Sequence, residues 1–111
     1  MNIYHLWFNL HLTSKDLEFS DALREYMDYL KENGLIEGWR LTRQKLGFGP
    51  QGLGEFHATM EVKSMEQLER AFEHVATRTG RVEELHKKVY AAVKDLKTSM
   101  HRDFPDPERV R

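Results

Sequence analysis

The chain has 111 residues, 40% of them hydrophobic, with 17 lysines and arginines against 18 aspartates and glutamates. That suffices for one domain with a modest core and is too apolar for a disordered chain. A formal charge of −1 lacks the basic excess that drives binding to phosphate backbones, so no nucleic-acid partner is expected.

The absence of cysteine excludes disulfides, thiolate metal sites and thiol nucleophiles. It fits a reducing compartment, and a cytoplasmic location is expected. The opening MNIYHLWFNLHL has no basic leader before its apolar run, and His5, Asn9 and His11 interrupt it. Neither a signal peptide nor a membrane span is predicted.

Ile3 to Leu12 alternates, with Tyr4, Leu6, Phe8 and Leu10 on one face and His5, Trp7, Asn9 and His11 on the other. Period two over that length predicts a strand. Thr13 and Asp16 have capping-box spacing, so a helix is expected to start there. Phe19, Leu23, Tyr26, Met27 and Leu30 form its apolar stripe, and Asn33-Gly34 supplies a left-handed stop.

Leu35 to Leu46 reads as a second strand, with Trp39 and Leu41 opposite in face to Arg40, Thr42 and Gln44. LGFGPQGLGEF follows, containing G-x-G-x-x-G. In a dinucleotide site that string opens a helix whose N-terminus meets the pyrophosphate. Here it leads into another alternating run, Glu55 to Lys63, so it reads as a hairpin connection and not a phosphate loop. In that run Phe56, Ala58, Met60 and Val62 alternate with His57, Thr59 and Glu61.

Ser64 and Gln67 form a second capping box before Leu68, Ala71, Phe72, Val75 and Ala76, the stripe of a second helix that should fray near Thr79-Gly80. The last third fits two patterns. Val82, Leu85, Val89, Ala92, Leu96 and Met100 suit one long helix; Leu96, Thr98, Met100, Arg102 and Phe104 suit a strand. A helix from about Arg81 to Ala92 and then a strand from about Lys94 to Asp103 is preferred, because a fourth strand covers the free edge of the first. Residues 105–111, charged and containing proline, are expected to lie outside a domain of residues 1–104.

Strand, helix, two strands, helix, strand is the order of the ferredoxin-like plait, an α+β fold with a four-stranded antiparallel sheet in the order 4-1-3-2. Its helices cover one sheet face and leave the other open. That face would carry His5, Trp7, Asn9, Arg40, His57, Thr59 and Glu61, joined by Asp95, Lys97, Ser99 and His101. Trp7 is large and apolar for open water, which implies a cover.

IYHLWFNL, GLIEGWRLTRQKLGFGP, GEFHATMEV and RDFPDPERVR resemble an uncharacterised family of small bacterial dimeric ferredoxin-like proteins. The arrangement is similar to that of the dimeric α/β-barrel proteins. The resemblance implies a homodimer packed sheet against sheet. In the wider superfamily it implies cofactor-free monooxygenases, lactone isomerases, haem-degrading enzymes or proteins with no known reaction, and selects none of these.

The open face carries the candidate chemistry. With Trp7 opposite Thr59, His5 would lie near Glu61, Asn9 near His57, and His101 within reach of His5. His5, His57 and Glu61 are then the candidate catalytic set, since imidazole titrates near neutrality and a carboxylate fixes its tautomer. The same residues could form a two-His, one-carboxylate metal site, but neither a metal nor an organic cofactor is expected. Trp7, Asn9, Arg40, Thr59 and His101 are candidate ligand-binding residues for a small organic molecule, with Arg40 offering a fork to an anion or else pairing with Glu61 or Asp95. The competing reading makes these side chains only the polar lining of a dimer interface. His74 and His86 are expected to be solvated on helix surfaces, and Tyr26 to be core.

Overall fold

The computed structural model describes residues 1–109. Its strands are β1 (Asn2–Leu10), β2 (Gly38–Arg43), β3 (Phe56–Val62) and β4 (Val93–Arg102). Its helices are α1 (Asp16–Glu32), α2 (Met65–Ala76) and α3 (Gly80–Ala92), and the chain order is β1-α1-β2-β3-α2-α3-β4. The sheet is antiparallel in the order β2-β3-β1-β4, so the fold is the ferredoxin-like plait that the alternations predict. Among the described residues, no helix is long and apolar enough to cross a membrane.

The core lies where the even-numbered strand residues meet the helices. Phe8, Leu10, Phe56, Ala58, Met60 and Val62 are buried against Phe19, Leu23, Met27 and Leu30 of α1. Phe8 stacks on Phe56 with ring centres 5.8 Å apart, and Phe19 meets Phe8 edge-on at 5.3 Å. Such contacts add specificity to the area they bury.

The ends of the elements follow the local chemistry. After α1, Gly34 adopts φ 71°, its N–H bonds Lys31 O, and Leu35 N–H bonds Leu30 O at 2.9 Å. This pair of bonds is a Schellman closure. The capping box expected at Thr13 does not form. Thr13–Lys15 is a short 3-10 turn, Lys15 occupies the cap position without a side-chain bond, and α1 starts at Asp16. Asp16 is diverted to an ion pair with Arg43 at 3.0 Å, and Arg43 also holds Glu55 at 2.7 Å.

Ser64, by contrast, does cap α2 by accepting the Gln67 N–H at 3.2 Å. The Gln67 side chain is buried, accepts from Lys63 N–H, and donates to Gly34 O and to Glu37. It thereby clamps the start of α2 to the α1–β2 connection. Ser64→Ala is expected to cost about 1 kcal/mol. The measurable sign is a lower urea midpoint with an unchanged slope.

The β2–β3 connection, residues 44–55, is a hairpin loop, but it also leans over the sheet. A Cβ on Gly54 would lie 2.3 Å from the Phe8 backbone, so only glycine allows that approach. Glu55 N–H donates to Asn9 Oδ1 at 2.9 Å, Asn9 Nδ2 donates to Asp95 at 3.2 Å, and the Lys97 amino group donates to Gly52 O. Beside this anchor β4 is bulged between the partners of Trp7 and Asn9, and Asp95 takes φ 56°. Beyond β4, Asp106 pairs with Arg102 at 2.7 Å; residues 110–111 of the charged tail lie outside the described residues.

Candidate functional site: a cavity under the helices and an imidazole cluster on the open face

On the open face the pairing register differs from the expected one. Trp7 lies opposite His57, not Thr59, so His5 faces Thr59 and Ile3 faces Glu61. A shift of two preserves which side each residue faces, so alternation alone cannot detect it. The stacking of Phe8 on Phe56 and the fit of Gly54 against Phe8 favour the observed register.

The new register changes the cluster. His5 Nδ1 and His57 Nε2 are hydrogen-bonded at 2.9 Å, one nitrogen donating and the other accepting. Trp7 and His57 stack with their planes 3° apart and centres 4.6 Å apart. His101, opposite Ile3 on β4, comes within 4.3 Å of the His5 ring and bonds Ser99 Oγ at 3.0 Å. Glu61 is left out: among the described residues no hydrogen bond or ion pair links it to an imidazole. Asn9 is spent on the loop anchor and does not reach His57. Arg40 lies opposite Thr59, exposed, and among the described residues forms no ion pair with Glu61 or Asp95. Burial first, then the charge of His101, holds the His57 imidazole below its ordinary range; burial, then His101 and His57, does the same to His5.

A larger hollow than any recess on this face, and the larger of two among the described residues, is on the other side of the sheet. The second crossover is broken at residues 77–79 into α2 and α3; α3 packs along α1, while α2 stays near β3. Between them the sheet is incompletely roofed, and Tyr4 and Leu6 are only half-buried. The result is a cavity of about 720 Å³, floored by Tyr4, Leu6 and Met60 and walled by Phe72, His86 and Tyr90. Leu23, Tyr26 and Met27 of α1 form its back. Phe72, expected in the core, is 49% exposed and meets Tyr4 edge-on at 5.6 Å, leaving an aromatic rim. A smaller hollow of about 380 Å³ lies at the end of β1, near Leu10, Leu12 and Phe19.

His86 is not solvated as the sequence suggested. It is half-buried, with its ring 4.2 Å from Tyr90 and 5.7 Å from Tyr26. Burial lowers its pKa, Glu83 opposes that shift and Arg78 adds to it, so the neutral imidazole is favoured. Tyr26 is displaced in the opposite sense: burial, then Tyr90, holds its phenol well above the usual range. An imidazole with a lowered pKa and a phenol with a raised one thus line the same mostly apolar hollow. Groups displaced in this way in a concave, mostly apolar hollow make it the candidate site. His74 is not free either: it hydrogen-bonds Tyr29 Oη at 2.8 Å, joining α2 to α1.

The sequence carried one usable signal for this site. His86 and Tyr90 are four residues apart on α3, hence on one helix face, beside the buried stripe of Val82, Leu85 and Val89. Tyr26 shares the inner stripe of α1.

Comparison with solved structures shows the same fold across nearly the whole chain. A point mutant of SnoaB, a cofactor-independent oxygenase from Streptomyces nogalater, matches with a TM-score of 0.71 at 9% identity, covering 97% of each chain. The protein At3g17210 from Arabidopsis thaliana matches at 0.72 with 7% identity, covering 96% of this chain and 98% of that one. HapK from Hahella chejuensis matches at 0.68 with 10% identity over the full length of both. Among the curated proteins compared, none matches. At such identities the likeness is one of fold. The family model that matches covers residues 1–111, and the chain belongs to that family, a family of unknown function (DUF6614).

Proposed function

We propose that the protein is a small-molecule enzyme that takes a proton from an aromatic carbon acid bound in the cavity under α2 and α3. The observation that carries this reading is the meeting of a neutral imidazole, His86, and a firmly protonated phenol, Tyr26, in an apolar space of about 720 Å³. His86 accepts the proton from an acidic C–H, and the Tyr26 hydroxyl donates a hydrogen bond to the oxyanion that forms. Rings of Phe72, Tyr4 and Tyr90 suit a flat, apolar ligand.

Two outcomes are open to such an anion. Returning the proton to another carbon is an isomerisation. With dioxygen as co-substrate a methylene becomes a carbonyl: one oxygen atom stays, the other leaves as water with the two methylene protons, and four electrons pass from carbon to oxygen. The shared fold with a cofactor-independent oxygenase supports the second.

The open face has a separate role in this reading. Two copies pack through it, and the stack of His5, Trp7 and His57 is covered by its counterpart. The half-buried Trp7 supports this, as do solved proteins of the same fold described as dimeric.

The test uses 2-tetralone, a benzo-fused cyclic ketone with an acidic methylene between ring and carbonyl. In D2O the protein is expected to accelerate deuterium uptake at that carbon, followed by proton NMR, and Leu6→Trp, which fills the cavity, is expected to abolish the acceleration. Uptake at the buffer rate with wild-type protein, or acceleration that survives Leu6→Trp, removes the cavity from catalysis.

A further inference from the structure

We propose that the ligand of this cavity carries an anionic substituent, a carboxylate or comparable oxyanion, received at the mouth by Arg78 and Lys87. The inference rests on the cavity being a ligand site and adds to it the chemical class of the ligand. The charged residues lining the cavity are Arg78, Glu83 and Lys87, two cations against one anion. The cations have no internal use. Among the described residues neither Arg78 nor Lys87 enters an ion pair, whereas Arg81, in the first turn of α3, is held by Glu25 at 3.8 Å and by Glu84 at 3.4 Å. Of the acidic side chains at this end of α3, Glu84 is committed to Arg81, while Glu83 lines the cavity and leaves its charged lining at +1.

The backbone adds an independent point. Arg78 follows the end of α2 with φ 52°, its N–H bonded to Val75 O at 3.2 Å. Glycine or asparagine takes this left-handed position at less cost, on the order of 1 kcal/mol. The turn at 77–79 also redirects the chain from α2 into α3 at the cavity mouth, and a residue there projects beside the opening that the turn creates. Arg78 also depresses the His86 pKa by its charge, so its guanidinium acts on the chamber and not only on bulk water. Guanidinium offers a planar fork to an oxyanion, and Lys87, one residue beyond His86 on α3, offers a second, mobile donor.

An apolar ring system would thus lie between Phe72 and Tyr90 with its anionic group at the rim. Its acidic C–H would face His86. A neutral molecule of equal shape would fill the chamber and leave both cations unused.

Two fluorophores with one skeleton separate the claims: 8-anilinonaphthalene-1-sulfonate, and N-phenyl-1-naphthylamine, which lacks the sulfonate. Both are titrated against wild-type protein and the double variant Arg78→Gln, Lys87→Gln at low ionic strength. Both side chains are exposed, so the variant is expected to keep its fold, as checked by its thermal midpoint. The expected result is an approximately tenfold loss of sulfonate affinity in the variant, the scale of a charge-assisted contact, with the neutral probe within twofold of wild type. Unchanged sulfonate affinity overturns the inference while leaving the cavity as a site. An equal loss for both probes overturns it too, because the two side chains would then shape the chamber without reading charge. Failure of the neutral probe to bind wild-type protein, or its binding undiminished by Leu6→Trp, instead sinks the cavity reading on which the inference stands.

Discussion

His86→Gln is expected to lower the protein-dependent exchange of 2-tetralone by about 100-fold, the lower range for loss of a general base. Glutamine keeps a hydrogen-bonding group of similar reach but cannot take up a proton, so the loss is expected in kcat with KM little changed. His57→Gln is expected to leave exchange unaffected, because its imidazole is on the opposite face of the sheet from the chamber. A loss with His57→Gln and none with His86→Gln would return catalysis to the open face. The pH profile gives a second readout. Burial lowers the His86 pKa from 6.5, so kcat/KM should rise with pH through a midpoint below 6.5 and stay level to pH 8. Tyr26, with its pKa raised, remains protonated over that range and contributes no falling limb. A midpoint above 7 would contradict a base stripped of solvent.

The sequence made the sheet legible because strand alternation reports burial directly. Phe56, Ala58, Met60 and Val62 are each buried and their odd-numbered neighbours are not, as alternation requires. The end of α1 was equally legible, since Asn33-Gly34 has few other uses. What escaped was information with no local period. The β1–β3 register depends on two strands separated by a helix and a third strand, and a slip of two leaves every face unchanged; that slip moved Glu61 away from His5. Asp16 shows the same limit at a helix start, where Arg43, distant in sequence, outcompeted the cap.

The cavity was still less legible. It arises because α2 and α3 diverge, and the polar groups inside it, Tyr26, His86 and Tyr90, come from two helices that the sequence presents as separate amphipathic stripes. The stripe of α3 looked complete with Val82, Leu85 and Val89, so His86 read as a surface residue. Only the geometry of the broken crossover gives it an apolar neighbourhood. The open-face imidazoles carry a catalytic reading because imidazole titrates near neutrality, and an interface reading because a sheet face that meets a second copy also gathers polar rings.

The proposed dimer should weaken as pH falls from 7.5 to 5.5, its dissociation constant rising by at least about tenfold. The hydrogen bond between His5 Nδ1 and His57 Nε2 needs an acceptor nitrogen, and double protonation sets two N–H groups against each other. The other charges on this face are Arg40 on β2, Glu61 on β3, and Lys94, Asp95 and Lys97 on β4, three cations against two anions. Trp7, Asn9, Thr59 and Ser99 beside the rings are uncharged. Protonating His5 and His57 would therefore add two charges to a face already at +1, and the two-fold partner would present the same. The sign follows from linkage: His5 and His57 have pKa values below 6.5 in the folded chain. Their contribution is complete above 6.5 and is lost as pH falls through 6.5 toward those lower values. Burial by a partner lowers them further, so association and folding share the sign. Light scattering at micromolar concentration should give twice the chain mass at pH 7.5 and a smaller average at 5.5. His57→Gln, which removes one proton site while keeping a polar side chain, should flatten that dependence. A dimer of constant mass across the range would leave the imidazole stack without influence on assembly, and a monomer at pH 7.5 would leave Trp7 uncovered and remove the interface altogether.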